Sequence, residues 1–188
     1  MNDFKSGNYV SQGTYKAFLP NLINRKWGID DMEVLALLSK ADRMVGRLDM
    51  YSQHIPNLDM FISMHIAKEA TQSTRIEGTQ TNMEEALLPE EDVPMDRRND
   101  WDEVQNYIRS MNEAIQMLNH LPLSSRLIRN THKIFLQGVR GKNKNPGEFR
   151  TSQNWIGGAS IADAVYVPPI FQEVPGLMED IEKFIHNP

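Results

Sequence analysis

The chain has 188 residues, 40% hydrophobic and 24% charged, with a net charge of −5 and no cysteine. This is an ordinary globular composition, long enough for one well-buried domain or one domain with a small appendage. It excludes disulfides and thiolate metal sites and fits a cytoplasmic protein; the acidic balance argues against nucleic-acid binding, which favours a basic face. No apolar run approaches the ~20 residues that span a bilayer, and Met1–Ser6 lacks the basic cap and apolar core of a secretory signal.

Residues 1–29 carry Tyr9, Gly13, Tyr15, Phe18, Pro20, Trp27 and Gly28 without a helical period. They read as an extended arm packed by its aromatics. Asp30-Asp31 then caps a helix whose apolar face is Val34, Leu38, Ala41, Val45 and Leu48. Pro56-Asn57 opens a second helix with Phe61, Met64, Ile66 and Ala67 on its buried side, ending at Gly78. Thr81 and Glu84 have the spacing of a capping box for a short helix that stops before Pro89. Glu90-Glu91-Asp92 with Pro94 reads as a solvated loop.

A long helix from about Asn99 to His120 follows, with the stripe Val104, Ile108, Met111, Ile115, Leu118. Ser124 or Ser125 starts the next, burying Leu127, Ile128, Ile134 and Phe135. From Gly138 to Gly147 the chain is a basic loop with Arg140, Lys142 and Lys144. Gln153–Ile156, Gly157-Gly158 and Ala164–Val167, closed by Pro168-Pro169, predict two short strands around a turn. A last helix from Val174 to His186 carries Leu177, Ile181, Phe184 and Ile185 on its apolar face. The fold class is mainly α, a helical bundle with one small β-hairpin.

The five histidines form neither a His-x-x-x-His pair nor a His-Glu-x-x-His motif, so no metal site is assigned. Gly-x-Ser-x-Gly and Gly-x-x-x-x-Gly-Lys are absent too, which removes serine-hydrolase and P-loop readings. No residue is assigned as catalytic. The one local rule that is broken concerns Glu77. Gly78 is the natural left-handed residue after a helix end, so a glutamate just before it faces free carbonyls and the negative end of the helix dipole. Broken local rules tend to mark function. The plain alternatives are a solvated Glu77, or a pair with Arg75 or Lys68.

Ser73-x-x-x-Glu77-Gly78, continued by Thr79, resembles the [Ser/Thr]-x-x-x-Glu-[Gly/Asn] inhibitory motif of Fic-family proteins. Lys68-Glu69-Ala70, Glu103-Val104-x-Asn106-Tyr107, Gly138-Val139-Arg140-Gly141, Pro146-Gly147-Glu148-Phe149-Arg150, Gln153-x-Trp155-Ile156-Gly157-Gly158 and Val167-Pro168-Pro169 follow in family order. With Tyr15–Pro20, the resemblance covers essentially the whole chain. It implies a Fic-type helical bundle, with an N-terminal region carrying the inhibitory helix (1–97) and the N-terminal part of the Fic core (98–188).

Fic proteins mostly transfer AMP from ATP to a protein hydroxyl. Their His-x-Phe-x-[Asp/Glu]-Gly-Asn-Gly-Arg-x-x-Arg motif supplies the base and the phosphate nest, and its last arginine meets the γ-phosphate. The resemblance gives Ser73, Glu77 and Gly78 a regulatory role: Glu77 pairs with that arginine and blocks the productive γ-phosphate position. Bidentate arginine–carboxylate and arginine–phosphate pairs compete directly. The segment Thr151–Val167, with Gln153, Asn154, Trp155, Ile156, Gly157, Val165 and Tyr166, resembles the family flap, where a target's extended segment adds as a strand.

The 188 residues contain no such histidine motif. The chain therefore reads as the N-terminal portion of a Fic protein, inactive alone. ATP and Mg2+ are implied for the complete family protein, with no tight binding expected by this chain. The implied partners are a target with a Tyr, Thr or Ser hydroxyl, the C-terminal Fic-motif segment and a second copy in a homodimer; nucleic acid and membrane are not among them. The alternative is a non-catalytic interaction module that binds a separate Fic domain or another partner.

Overall fold

A computed structural model describes residues 4–138 and 145–187. The basic residues Arg140, Lys142 and Lys144, expected in a loop, lie outside them. The chain divides into two compact units, residues 36–148 and residues 1–35 with 149–188.

In the 36–148 unit, α2 (Leu58–Ile76), α3 (Met83–Ala86), α4 (Arg98–Met117) and α5 (Ser125–Phe135) pack on one another. Asn57 caps α2, accepting the Met60 N–H at 2.9 Å, and Ser124 caps α5, accepting the Leu127 N–H at 3.3 Å. Ala70, Ala86 and Val104 form the centre of the core, with Tyr107 and Ile108 packed against it. The small Ala70 lets α2 approach α4 closely, and Phe135 meets the Tyr107 ring edge-on at 5.7 Å. The capping box of α3 is Asn82 with Glu85, one residue beyond the Thr81–Glu84 pair that the spacing predicts. Thr81 is instead buried, its hydroxyl without a partner.

The helix α1 (Met32–Ser52) starts at Asp31, whose carboxylate accepts the Glu33 N–H. The sequence predicts burial of its Val34–Leu48 stripe; the helix has no buried residue, and Val45 and Leu48 are 67% and 65% exposed. Phe61 and Met64 of α2, also expected inside, are each 42% exposed. Among the described residues no element packs extensively along these faces. A hydrophobic period identifies an apolar face without supplying the element that covers it.

In the other unit, β1 (Gly7–Ser11) and β2 (Lys16–Pro20) form an antiparallel hairpin with Tyr9 opposite Phe18. The arm predicted as extended thus contains an ordered two-stranded sheet. It is aromatic-packed as expected: Phe4 meets Trp27 at 4.7 Å and Tyr9 meets Phe18 at 5.4 Å. The mainly helical class with one small hairpin holds, but the hairpin lies at 7–20. Within 151–167 the pairing is one antiparallel bridge, Ile156 with Tyr166. Gly157 and Gly158 both take positive φ (72° and 76°) and turn the chain out of extended conformation directly after Ile156. Helix α6 (Val174–Ile185) buries Asp180, whose carboxylate accepts the Ile23 N–H at 2.6 Å and pins that segment. No helix among the described residues is long and apolar enough to cross a membrane.

Candidate functional site

The end of α2 is fixed by backbone geometry. Gly78 has φ 101°, its N–H donates to the Arg75 carbonyl at 3.1 Å, and the Thr79 N–H reaches the Thr74 carbonyl at 3.2 Å. These two bonds make a Schellman motif and satisfy carbonyls that the helix end would leave open. A threonine ladder backs it: Thr79 Oγ1 donates to Thr74 Oγ1 at 3.0 Å, and Thr74 Oγ1 donates to the Ala70 carbonyl at 2.8 Å, all buried. Glu77 is the C-cap residue itself (φ −83°, ψ 0°), and its side chain is exposed. Of the plain alternatives, the pair with Arg75 or Lys68 is not formed, and the exposed side chain matches the solvated one. Its carboxylate has no hydrogen bond or ion pair among the described residues.

Ser73 lies one turn earlier on the same face, but its hydroxyl donates to Glu69 Oε1 at 2.7 Å and not to Glu77. Ser73 and Glu77 line a cavity of about 810 Å³ between α2, α4 and the end of α5. The N-terminal half of α4 is held in place across from them. Asp100 accepts the Gln80 N–H at 2.8 Å, Trp101 Nε1 donates to the Glu85 carbonyl at 3.1 Å, and Gln105 donates to the Ala86 carbonyl at 2.7 Å. This grip brings Asp102 and Glu103 to the same cavity as Glu77. On the far side Arg109 donates to Asn106 and, at 3.1 Å, to Gln137, while Asn106 donates to the Gln137 carbonyl.

Among the described residues that line the cavity, Glu77 and Asp102 have no partner, while Glu103 and Arg109 are both engaged. A group that could neutralise Glu77 is a guanidinium, which offers a carboxylate two parallel hydrogen bonds. Asp102 and Glu103 escaped the sequence reading as site residues; their i, i+1 placement on a polar face of α4 looks like ordinary surface charge. Among the described residues no cluster of three or more His, Asp or Glu is placed to hold a metal.

The residues 151–167 lie in the other unit. Gln153 is fastened to the Pro168 carbonyl at 3.1 Å, Arg150 donates to the Pro169 carbonyl, and the Val167 carbonyl accepts the Phe18 N–H at 2.9 Å. Arg150 Nε and Gln153 Oε1 are buried without partners. Thr151 and Asn154 are exposed. The outer part is paired at Ile156, whose N–H donates to the Tyr166 carbonyl at 2.8 Å and whose carbonyl accepts the Val165 N–H at 2.9 Å, and its tip is closed by Ser160, whose hydroxyl donates to Asp163 at 2.9 Å. Ile156 and Val165 remain 63% and 81% exposed, and Val167 is buried.

Residues 35–116 match the Fic/DOC family N-terminal domain. The match takes in α2, α3 and nearly all of α1 and α4, with Ser73, Glu77, Gly78, Asp102 and Glu103; α5 and residues 151–167 lie beyond it. No curated protein matches the chain.

Proposed function

Because the chain carries a Fic/DOC family N-terminal domain, we propose that it is the self-inhibiting and target-positioning part of a Fic adenylyl transferase. The observation that carries this reading is the exposed Glu77 carboxylate, held at a fixed helix end beside a cavity and without a partner among the described residues. Glu77 is the acceptor for an arginine of the Fic motif, and Gly78 and the threonine ladder set its position. The reaction it restrains joins a target hydroxyl oxygen to the α-phosphorus of ATP. The bond from that phosphorus to the bridging oxygen breaks, pyrophosphate leaves, and the hydroxyl proton passes to the motif's histidine.

ATP and its Mg2+ belong to the motif-bearing portion, which supplies the phosphate nest. Residues 151–167 position the target through the exposed edge at Ile156 and Val165. The setting is cytoplasmic, with a target protein and the Fic-motif segment as partners. Incubation of the 188 residues with labelled ATP is expected to leave no AMP adduct, and transfer by this chain alone contradicts the reading. In a form that carries the motif, Glu77→Gly is expected to raise AMP transfer at least tenfold; an unchanged rate removes the inhibitory role.

The exposed apolar stripe of α1 favours a second reading, a non-catalytic module whose business is association. Light scattering and a pull-down with a Fic-motif fragment separate the two. Self-association that persists without affinity for the fragment supports the second.

A further inference from the structure

We propose that β1 is a self-pairing edge, through which two copies of this chain join into one antiparallel sheet about a two-fold axis at Tyr9. Hydrogen bonding alternates along the hairpin. Just past the strand ends, the Ser6 carbonyl accepts the Asn21 N–H at 2.9 Å and the Gln12 N–H donates to the Tyr15 carbonyl at 2.8 Å. Tyr9 stands opposite Phe18, and the Phe18 N–H is turned away to the Val167 carbonyl at 2.9 Å. The even-numbered residues of β1 therefore bond inward to β2, and Gly7, Tyr9 and Ser11 point their N–H and C=O groups out of the open edge. None of these outward groups has a hydrogen-bond partner among the described residues.

An open edge is usually blunted by charge, proline or a bulge. Residues 7–11 are Gly-Asn-Tyr-Val-Ser, uncharged and without proline, and their register with β2 runs unbroken from Gly7 to Ser11. Tyr9 and Val10 are 59% and 39% exposed. The other side of the hairpin is the one that Val167 meets, so a single edge is open.

A second copy of β1 fits this edge because the outward set is symmetric about Tyr9. Antiparallel pairing sets Tyr9 against Tyr9 of the second copy, and Gly7 of each copy against Ser11 of the other, each facing pair exchanging both N–H···O bonds. No like charges meet at the axis. The two Tyr9 rings meet on one face and extend an aromatic row, in which Tyr166 lies 6.3 Å from Phe18 and Phe18 5.4 Å from Tyr9. A two-fold pairing consumes the open edge of both copies, so association stops at two. Five residues a side is far below the ~20–30 of a stable interface, and the dimer forms only at high protein concentration. In it the two 151–167 segments, each bonded to its own β2 through Val167, hang from one continuous sheet.

The test is sedimentation equilibrium of the 188-residue chain from about 10 µM to about 1 mM, with amide hydrogen exchange read at both ends of that range. A reversible monomer–dimer equilibrium is expected. The Gly7, Tyr9 and Ser11 amides should exchange about fivefold more slowly at the high concentration, while Asn8 and Val10 exchange at the same rate throughout. Tyr9→Lys sets two ammonium groups against each other, and Ser11→Pro removes an outward N–H without touching the hairpin's own bonds. Each is expected to weaken the dimer at least about tenfold, with Asn8 and Val10 protection unchanged. A chain that stays monomeric to about 1 mM overturns the proposal, as does a dimer in which the odd-numbered amides gain no protection. A dimer that survives Tyr9→Lys but is lost in Val45→Lys overturns it too, and places association on α1. The exchange pattern of the unaltered chain decides the matter even where a variant disturbs the hairpin.

Discussion

The end of α2 and the segment Thr151–Val167 hold their functional groups in opposite ways. At the end of α2 the backbone is fixed by a Schellman motif and a buried threonine ladder, and the side chain of Glu77 has no partner among the described residues. In 151–167 the fastening lies at the base, through Gln153, Arg150 and Val167, and the outer part has one bridge and exposed apolar side chains. A fixed charge suits a task in which a single ion pair must form or break at one place. A lightly paired edge suits a task in which another chain's backbone adds to it. On the proposed function the difference is one between presenting a charge and presenting an edge.

Substitutions at the two glycine turns sharpen the contrast, because their constraints differ. At Gly158 a Cβ would lie 2.4 Å from the Asp163 carbonyl oxygen, and φ is 76° as well. Gly158→Ala is therefore expected to cost about 2–3 kcal/mol in urea unfolding, with loss of the Ile156–Tyr166 pairing as seen by amide exchange. Gly78 requires positive φ but has open space around its missing Cβ. Gly78→Ala is expected to cost less, about 1 kcal/mol. An equal cost at both positions removes the distinction.

The next effect is of similar size. Thr79→Val removes the buried hydroxyl that donates to Thr74, with an expected loss of about 1 kcal/mol in the same unfolding measurement. The smallest concerns Glu77 itself. As an exposed and unpartnered side chain it is expected to contribute less than about 0.5 kcal/mol to stability, so Glu77→Gln leaves the urea midpoint nearly unchanged. A large destabilisation would mean that the carboxylate is structural.

The helix end was readable because Gly78 announces a left-handed position and Glu77 beside it breaks the dipole preference; both are local facts. The capping box was readable only to within one residue. Thr81 and Asn82 are both competent caps, and the burial of Thr81, a tertiary fact, leaves the role to Asn82. The 7–20 hairpin lies in Asn8-Tyr9-Val10 and Ala17-Phe18-Leu19 around Gly13, yet short aromatic runs near glycine and proline read equally as a single extended arm. At 151–167 the sequence predicts two short strands, and two glycines at positive φ limit the pairing to the single Ile156–Tyr166 bridge. Asp102 and Glu103 became visible as cavity residues only once α3 and the 80s segment were seen to hold α4 opposite Glu77.

The most direct test of the central claim is the affinity of a Fic-motif fragment, containing the terminal arginine, for the 188-residue chain and for its Glu77→Gln variant. A charge-assisted arginine–carboxylate bond is worth about 1.5–3 kcal/mol, so the variant is expected to bind at least about tenfold more weakly. Replacing the fragment's arginine by glutamine should then make no further difference. Equal affinity of the two chains for the fragment would contradict the account.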